Sequence, residues 1–173
     1  MTESLFDPAA MLAVLGEADV RFILIGGMAA VLHGDVGVTV DIDIAPDYEL
    51  DNLERLAAAL RALDARIRTD DAPHGLSFDC SAQFLRNLGP DAILNLTTRV
   101  GALDVSFSPA GTGGYHDLKR DAVPLAATEG VSVLVASLAD VIRSKSAADR
   151  EKDRRALPRL HELLERTSGS RQD

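Results

Sequence analysis

From Val38 to Ile44 the chain reads VTVDIDI, and this alternation constrains the fold more than any other stretch. Side chains two positions apart on a strand share a face. Val40, Ile42 and Ile44 therefore form an apolar face, while Asp41 and Asp43 project from the other, about 6.5 to 7 Å apart at the backbone. Aspartate is disfavoured in strands, so the stretch calls for a sheet with one face buried and the other polar. Upstream, Phe22 to Ile25 is a short β-rich run. It leads directly into Gly26-Gly27 and a helical stretch from Met28 to His33 that Gly34 would terminate. Strand, glycine turn, helix and second strand predict an α/β (α+β) domain built on a mixed sheet flanked by helices, with Pro46 ending the second strand.

The remaining punctuation fills in this frame. Asp7 and Pro8 cap a helix from Ala9 to Glu17 that Gly16 weakens near its end, and Asp51 to Leu63 is the clearest amphipathic helix. A strand near Ala65 to Arg68, a loop through Pro73 and Gly75, and a short helix around Ser81 to Asn87 follow. Ile93 to Thr98 and Ala102 to Phe107 flank a short turn and predict a β-hairpin. In its second arm Leu103, Val105 and Phe107 alternate with Asp104 and Ser106. Residues 109 to 114 read as a flexible loop and Val131 to Val135 as a buried strand. Ser137 with Asp140 resembles a capping box opening a helix through about Arg150, and Pro158 fits near the start of a last helix. The expected organisation is a core over residues 1–136, a helical segment over 137–166 packed on it, and a disordered tail, TSGSRQD, over 167–173.

A chain of 173 residues, 46% hydrophobic and 26% charged, suits one soluble globular domain. No apolar run approaches a bilayer span and the N-terminal stretch has no basic region, so no membrane partner, no signal peptide and a cytoplasmic location are expected. Cys80, the single cysteine, has no internal disulfide partner. The net charge of −9 argues against a protein that coats nucleic acid non-specifically. The charge is uneven, however: from residue 140 onward nine Lys and Arg stand against seven Asp and Glu, leaving nine against twenty before it. The C-terminal end is the place to meet an anion.

Two carboxylates aimed at one point raise each other's pKa or recruit a cation, and an oxygen-rich cluster suits Mg²⁺. The alternative is a wet sheet face on which aspartates are merely solvated. Asp104 occupies the same setting on its strand. If the two strands adjoin, three carboxylates face one site and could hold two Mg²⁺ ions, aligning an attacking oxygen with a phosphoryl centre and its leaving group. Gly26-Gly27 could present backbone N–H groups to a triphosphate, or could simply allow strand and helix to pack tightly. It is not a Walker A loop, since no Gly-Lys-Ser/Thr follows. His33 ends a short apolar helix in a packing or capping role, and His74 and His116 fall in loops without metal-ligand spacing.

With these pieces placed, the sequence resembles the DNA polymerase beta-like nucleotidyltransferase superfamily, whose signature is an apolar strand, Gly-Gly or Gly-Ser, nine to thirteen residues, then Asp-x-Asp or Asp-x-Glu. Here Gly27 is followed by thirteen residues and Asp41-Ile42-Asp43. Within it the chain looks most like the small bacterial proteins related to AbiEii toxins of type IV toxin-antitoxin systems, through LIGGMAAVLHG, TVDIDI, GALDVSF and SLADVIRSKSAADREKDRRALPRL. The last stretch matches a K..A.R.KD..D pattern at Lys145, Ala148, Arg150, Lys152 and Asp153. The resemblance implies that Asp41 and Asp43 bind Mg²⁺ (or Mn²⁺) with the nucleotide and that Asp104 completes the metal site and activates the acceptor hydroxyl. It further implies that Gly26 and Gly27 cradle the phosphates beside Thr39, and that Lys145 contacts triphosphate or base with Arg150 and Lys152 in support. One departure stands out: relatives often carry Arg in an R-x-T-x-D-x-D arrangement where this chain has Gly37.

The expected function is Mg²⁺-dependent transfer of a nucleotide monophosphate from an NTP to a hydroxyl acceptor, with pyrophosphate as leaving group. The acceptor would be an RNA or tRNA end, a protein or a small molecule, and the protein would act as toxin to an antitoxin partner. The alternatives are a nucleotide-binding or toxin-antitoxin interaction module of little activity, which the absent arginine favours, and a metal-dependent nuclease using the same carboxylates.

Overall fold

The computed structural model describes residues 5–170, and Met1 to Ser4 and Arg171 to Asp173 lie outside them. The described residues form helices α1 (Pro8–Glu17), α2 (Gly26–Leu32), α3 (Leu50–Ala62), α4 (Ala82–Leu88), α5 (Tyr115–Lys119), α6 (Leu138–Ala148) and α7 (Glu151–Gly169). The strands are β1 (Phe22–Ile25), β2 (Asp41–Pro46), β3 (Arg66–Thr69), β4 (Ala72–Leu76), β5 (Ile93–Thr98), β6 (Gly101–Ser106), β7 (Val123–Thr128) and β8 (Val131–Val135). All eight strands join one mixed sheet in the order β4-β3-β5-β6-β2-β1-β8-β7. The β2/β6 and β1/β8 pairs are parallel and the others antiparallel. The expected α/β class with a mixed sheet is therefore the fold observed.

The two strands with the most polar-apolar contrast, β2 and β6, lie at the centre of the sheet. Ile42, Ile44, Leu103 and Val105 are fully buried on one face, which leaves Asp41, Asp43 and Asp104 on the other. Helix α2 packs on β2 and on α6, and α6 packs on α7, so the polar face is overhung by helices rather than open. Among the described residues no helix is long and apolar enough to cross a membrane.

Several boundaries differ from expectation, each for a local reason. Val40 precedes β2 and is 70% exposed, because residues 35–40 leave the sheet and Thr39 turns its Oγ1 onto the Asp41 carbonyl at 3.1 Å. Pro73 and Gly75, expected in a loop, lie with His74 in β4. That strand is at the sheet edge, where a proline's missing N–H costs no ladder bond. His116, also expected in a loop, lies in α5, and α5 and β7 are elements too short or too proline-interrupted to stand out in the sequence. Pro158 is inside α7, not near its start. The helix begins earlier, where the backbone N–H of Arg150 donates to Asp153 at 3.2 Å. Burial of Leu160 and Leu163 then carries it past the proline. Residues 167–169, expected in the disordered tail, continue this helix.

The outer ends of the antiparallel pair β1 and β2 are clamped by one side chain. Asn52, fully buried on α3, accepts from the Arg21 N–H at 2.7 Å and donates to the Arg21 and Asp47 carbonyls at 2.9 and 2.8 Å. Arg21 precedes β1 and Asp47 follows β2, so Asn52 fixes where both strands meet α3. Replacing Asn52 with Ala strands the Arg21 N–H and the Asp47 carbonyl, while the Arg21 carbonyl keeps the Asp47 N–H at 3.0 Å, and is expected to cost about 2–4 kcal/mol, read as a lowered midpoint in denaturant unfolding.

Candidate active site

The carboxylates are brought together by strand register. Asp43 of β2 is paired directly with Asp104 of β6 in a parallel ladder, and Asp41 lies two positions along on the same face. The row continues across the sheet: Asn95 of β5 pairs with Asp104, and Arg68 of β3 reaches over β5 to donate from Nη2 to Asp104 at 2.6 Å and from Nη1 to the Leu96 carbonyl at 3.1 Å. Arg68 had no signal in the sequence, because its partner is 36 residues away and its own strand is short.

Gly26 and Gly27 form the first turn of α2 rather than a separate turn before it. Each faces a neighbour from the β2 segment at close range. Gly26 has φ of +69°, and a Cβ there would lie 2.3 Å from Asp43 Oδ2. A Cβ on Gly27 would lie 3.1 Å from Thr39 Oγ1. The glycine pair thus accounts for close approach of Asp43 and Thr39 to the backbone of α2. Thr39 in turn places its hydroxyl 3.3 Å from Asp41 Oδ1.

Above the carboxylates is a cleft of about 570 Å³, lined from the far side by Lys145, Ala148, Arg150, Lys152 and Arg159 of the α6–α7 corner. The corner is organised by Asp153, which is fully buried. It accepts from Arg150 Nε at 2.7 Å and lies 3.6 Å from Lys145 Nζ. Burial would push the Asp153 carboxyl up, but the Arg150 hydrogen bonds outweigh it and hold the group below its ordinary value. The chain turns this corner through Asp149, in the left-handed region at φ 50°.

Charge within the cleft is strongly unbalanced at the sheet. Burial, then the like charges of Asp41 and Asp104, push the Asp43 carboxyl up to about 7, against the pull of Lys152 and Lys145. Asp104 is also raised, chiefly by burial, with Arg68 opposing. Three hard oxygen donors on adjoining strands, one of them driven toward neutrality by its neighbours, fit Mg²⁺ or Mn²⁺ in donor type and charge. Among the described residues no three acidic, His or Cys side chains stand, as placed, where they could hold one metal ion, and Asp104 is bonded to Arg68.

All the residues expected at the site, Asp41, Asp43, Asp104, Gly26, Gly27, Thr39, Lys145, Arg150 and Lys152, line this one cleft. Arg159 of α7 lies beside Gly37, with Nη2 3.1 Å from where a Cβ on that glycine would stand. The histidines are elsewhere. His33 Nε2 bonds the Ala136 carbonyl at 2.8 Å, a tether between α2 and the end of β8. His116 lies 3.4 Å from Asp47. The Cys80 thiol, raised by burial, is a half-buried packing group. No family model matches the chain, and no curated protein matches it.

Two outcomes follow from this geometry. Because the folded state raises the Asp43 pKa, it holds that proton more tightly than the unfolded chain. Stability is therefore lost as pH rises from about 4 to about 7 and stays low above. Asp43→Asn removes the ionisation and should stabilise the metal-free protein above pH 7 by about 1–4 kcal/mol, at about 1.4 kcal/mol per pKa unit. The gain should vanish at acid pH, and thermal melts across pH check it. Gly26→Ala adds both left-handed strain and collision with Asp43, and a loss of about 1–3 kcal/mol is expected in the same melts.

Proposed function

We propose that the protein is a Mg²⁺- or Mn²⁺-dependent nucleotidyltransferase that moves a nucleotide monophosphate from an NTP to a hydroxyl acceptor. The observation that carries this reading is the register pairing of Asp43 with Asp104, with Asp41 beside them, beneath a cleft whose opposite wall supplies Lys145, Arg150 and Lys152. Carboxylates on one wall and cations on the other suit a metal-bound polyphosphate between them.

In this reading Asp41, Asp43 and Asp104 hold the divalent cation, which supplies Lewis-acid activation of the phosphoryl group and neutralises charge on the leaving group. The chain's own residues position the rest. Thr39 and the α2 turn at Gly26-Gly27 bound the polyphosphate on one side. Lys145 and Arg150, pre-oriented by buried Asp153, meet it from the other with Lys152. The acceptor hydroxyl oxygen forms a bond to the α-phosphorus while the bond to the bridging oxygen of the β-phosphate breaks. The hydroxyl proton passes to Asp104, the carboxylate paired with Asp43 on the adjoining strand. Pyrophosphate leaves with the electron pair, and no covalent enzyme intermediate is needed. Positioning and charge neutralisation are the whole contribution.

An RNA or tRNA end, a protein side chain or a small molecule could present the acceptor hydroxyl, and a role as toxin beside an antitoxin partner belongs to the same proposal. Incubating the protein with Mg²⁺, each labelled NTP and pools of RNA, protein and small-molecule acceptors should give label transfer and pyrophosphate. Asp41→Ala and Asp43→Ala should each lower the rate roughly a thousandfold, the several kcal/mol a bound cation contributes. Absence of transfer and pyrophosphate with every acceptor would overturn the proposal, and RNA shortened without NTP would replace it with a nuclease.

A further inference from the structure

Helix α7 places Lys152, Ala156 and Arg159 on one face, at positions i, i+4 and i+7, and all three line the cleft. Lys152 lies where it acts on the charges of Asp43 and Asp104. Arg159 is seven residues further on, about 10 Å along the helix, beside the segment that carries Gly37 and Thr39. Its guanidinium is held edge-on by Asp35, whose side chain is only 6% exposed: Nε donates to Oδ1, and Nη2 donates to Oδ2 at 3.1 Å. Nη1 has no partner among the described residues.

Gly37 shows what this arrangement requires. Its φ lies outside the left-handed region, so the backbone does not demand glycine. Space does: a Cβ there would stand 2.7 Å from Asp35 Oδ2 and 3.1 Å from Arg159 Nη2. A side chain at 37 would have to shift the carboxylate and guanidinium tips of this pair. The wall runs on through Thr39 to Gly27, whose own missing Cβ admits the threonine. With Nε and Nη2 fixed by a buried carboxylate, the guanidinium keeps its charge at the cleft wall and Nη1 remains as the donor for a phosphate oxygen.

We infer that Arg159, oriented by Asp35 and given room by Gly37, grips the terminal phosphates of the bound nucleotide, at the end of the cleft away from the carboxylates. The inference rests on the nucleotidyltransferase reading only for the identity of the ligand as a nucleoside triphosphate. Asp35 is a positioning residue in it, and Arg159 the contact.

Direct binding tests it without turnover. Calorimetric affinities for ATP, inorganic tripolyphosphate and AMP would be measured with Mn²⁺, alongside the melting temperature of each variant. Arg159→Ala should weaken ATP and tripolyphosphate at least tenfold and leave AMP within twofold. Arg159→Lys, which keeps the charge but loses the fork, should recover only part of the affinity. Gly37→Arg in the Arg159→Ala background should recover most of it, since the new guanidinium starts from the same wall. Gly37→Ala, which displaces the pair without removing it, should weaken ATP threefold or more and serves if Arg159→Ala does not fold. Unchanged ATP affinity in a folded Arg159→Ala, or equal loss of ATP and AMP, would overturn the inference alone. Failure of the wild-type protein to bind ATP or tripolyphosphate would instead remove the nucleotidyltransferase reading on which it rests.

Discussion

Like charges forced onto one face of a half-buried sheet are the constraint around which the rest of this molecule is arranged. Register puts Asp43 beside Asp104 and leaves Asp41 nearby, and the cost is visible in the Asp43 carboxyl, driven up to about 7 by burial and its neighbours. Each surrounding feature reduces that cost or exploits it. Gly26 gives the Asp43 carboxylate space against α2. Arg68 crosses a strand to compensate Asp104. The α6–α7 corner brings Lys145 and Lys152 within reach of Asp43.

The corner itself depends on a second buried carboxylate with the opposite outcome. Asp153 is as inaccessible as any core leucine, yet it stays below its ordinary pKa because Arg150 donates to it from both backbone and side chain. Asp153 lacks cationic neighbours no more than Asp43 lacks anionic ones, and this difference divides their roles. A satisfied Asp153 is a rigid anchor for two cations, whereas an unsatisfied Asp43 is a site still short of positive charge. The left-handed residue Asp149 permits α7 to fold back from α6 so that the anchor and its cations face the sheet.

How much of this could be read from sequence follows the range of the interactions. Alternation in DIDI and in GALDVSF reported the polar face of β2 and β6, because strand periodicity is local, but it failed at Val40, expected on the apolar face and exposed ahead of β2. Caps at Asp7 and Ser137 were legible for the same reason, and each side chain accepts a backbone N–H three residues on. What periodicity does not carry is long-range pairing. Asp35 and Arg159 are 124 residues apart, and nothing in either neighbourhood marks one as the other's partner. Gly37, which departs from the arginine of the proteins the sequence resembles, lies against this Asp35–Arg159 pair. Proline misled for a related reason: a favourable first-turn residue is a weak preference, and the Arg150–Asp153 cap with two buried leucines outweighs it.

Charge balance in the cleft sets how a polyanion could enter it. The lining carries five carboxylates, Asp35, Asp41, Asp43, Asp104 and Asp140, against four cations, Lys145, Arg150, Lys152 and Arg159. Asp35 is spent on Arg159, and Asp140 lies 3.0 Å from Arg143. With a net charge of −9 over the whole chain, the long-range field offers a triphosphate no attraction, and beyond about 8 Å it is screened at physiological ionic strength in any case. On the proposed reading, recognition is therefore short-range, and the positive charge that admits the nucleotide arrives with it as the divalent cation. On that reading the arriving counter-charge favours the Asp43 anion, which burial and the neighbouring carboxylates oppose. Asp104 has its own counter-charge already, in Arg68.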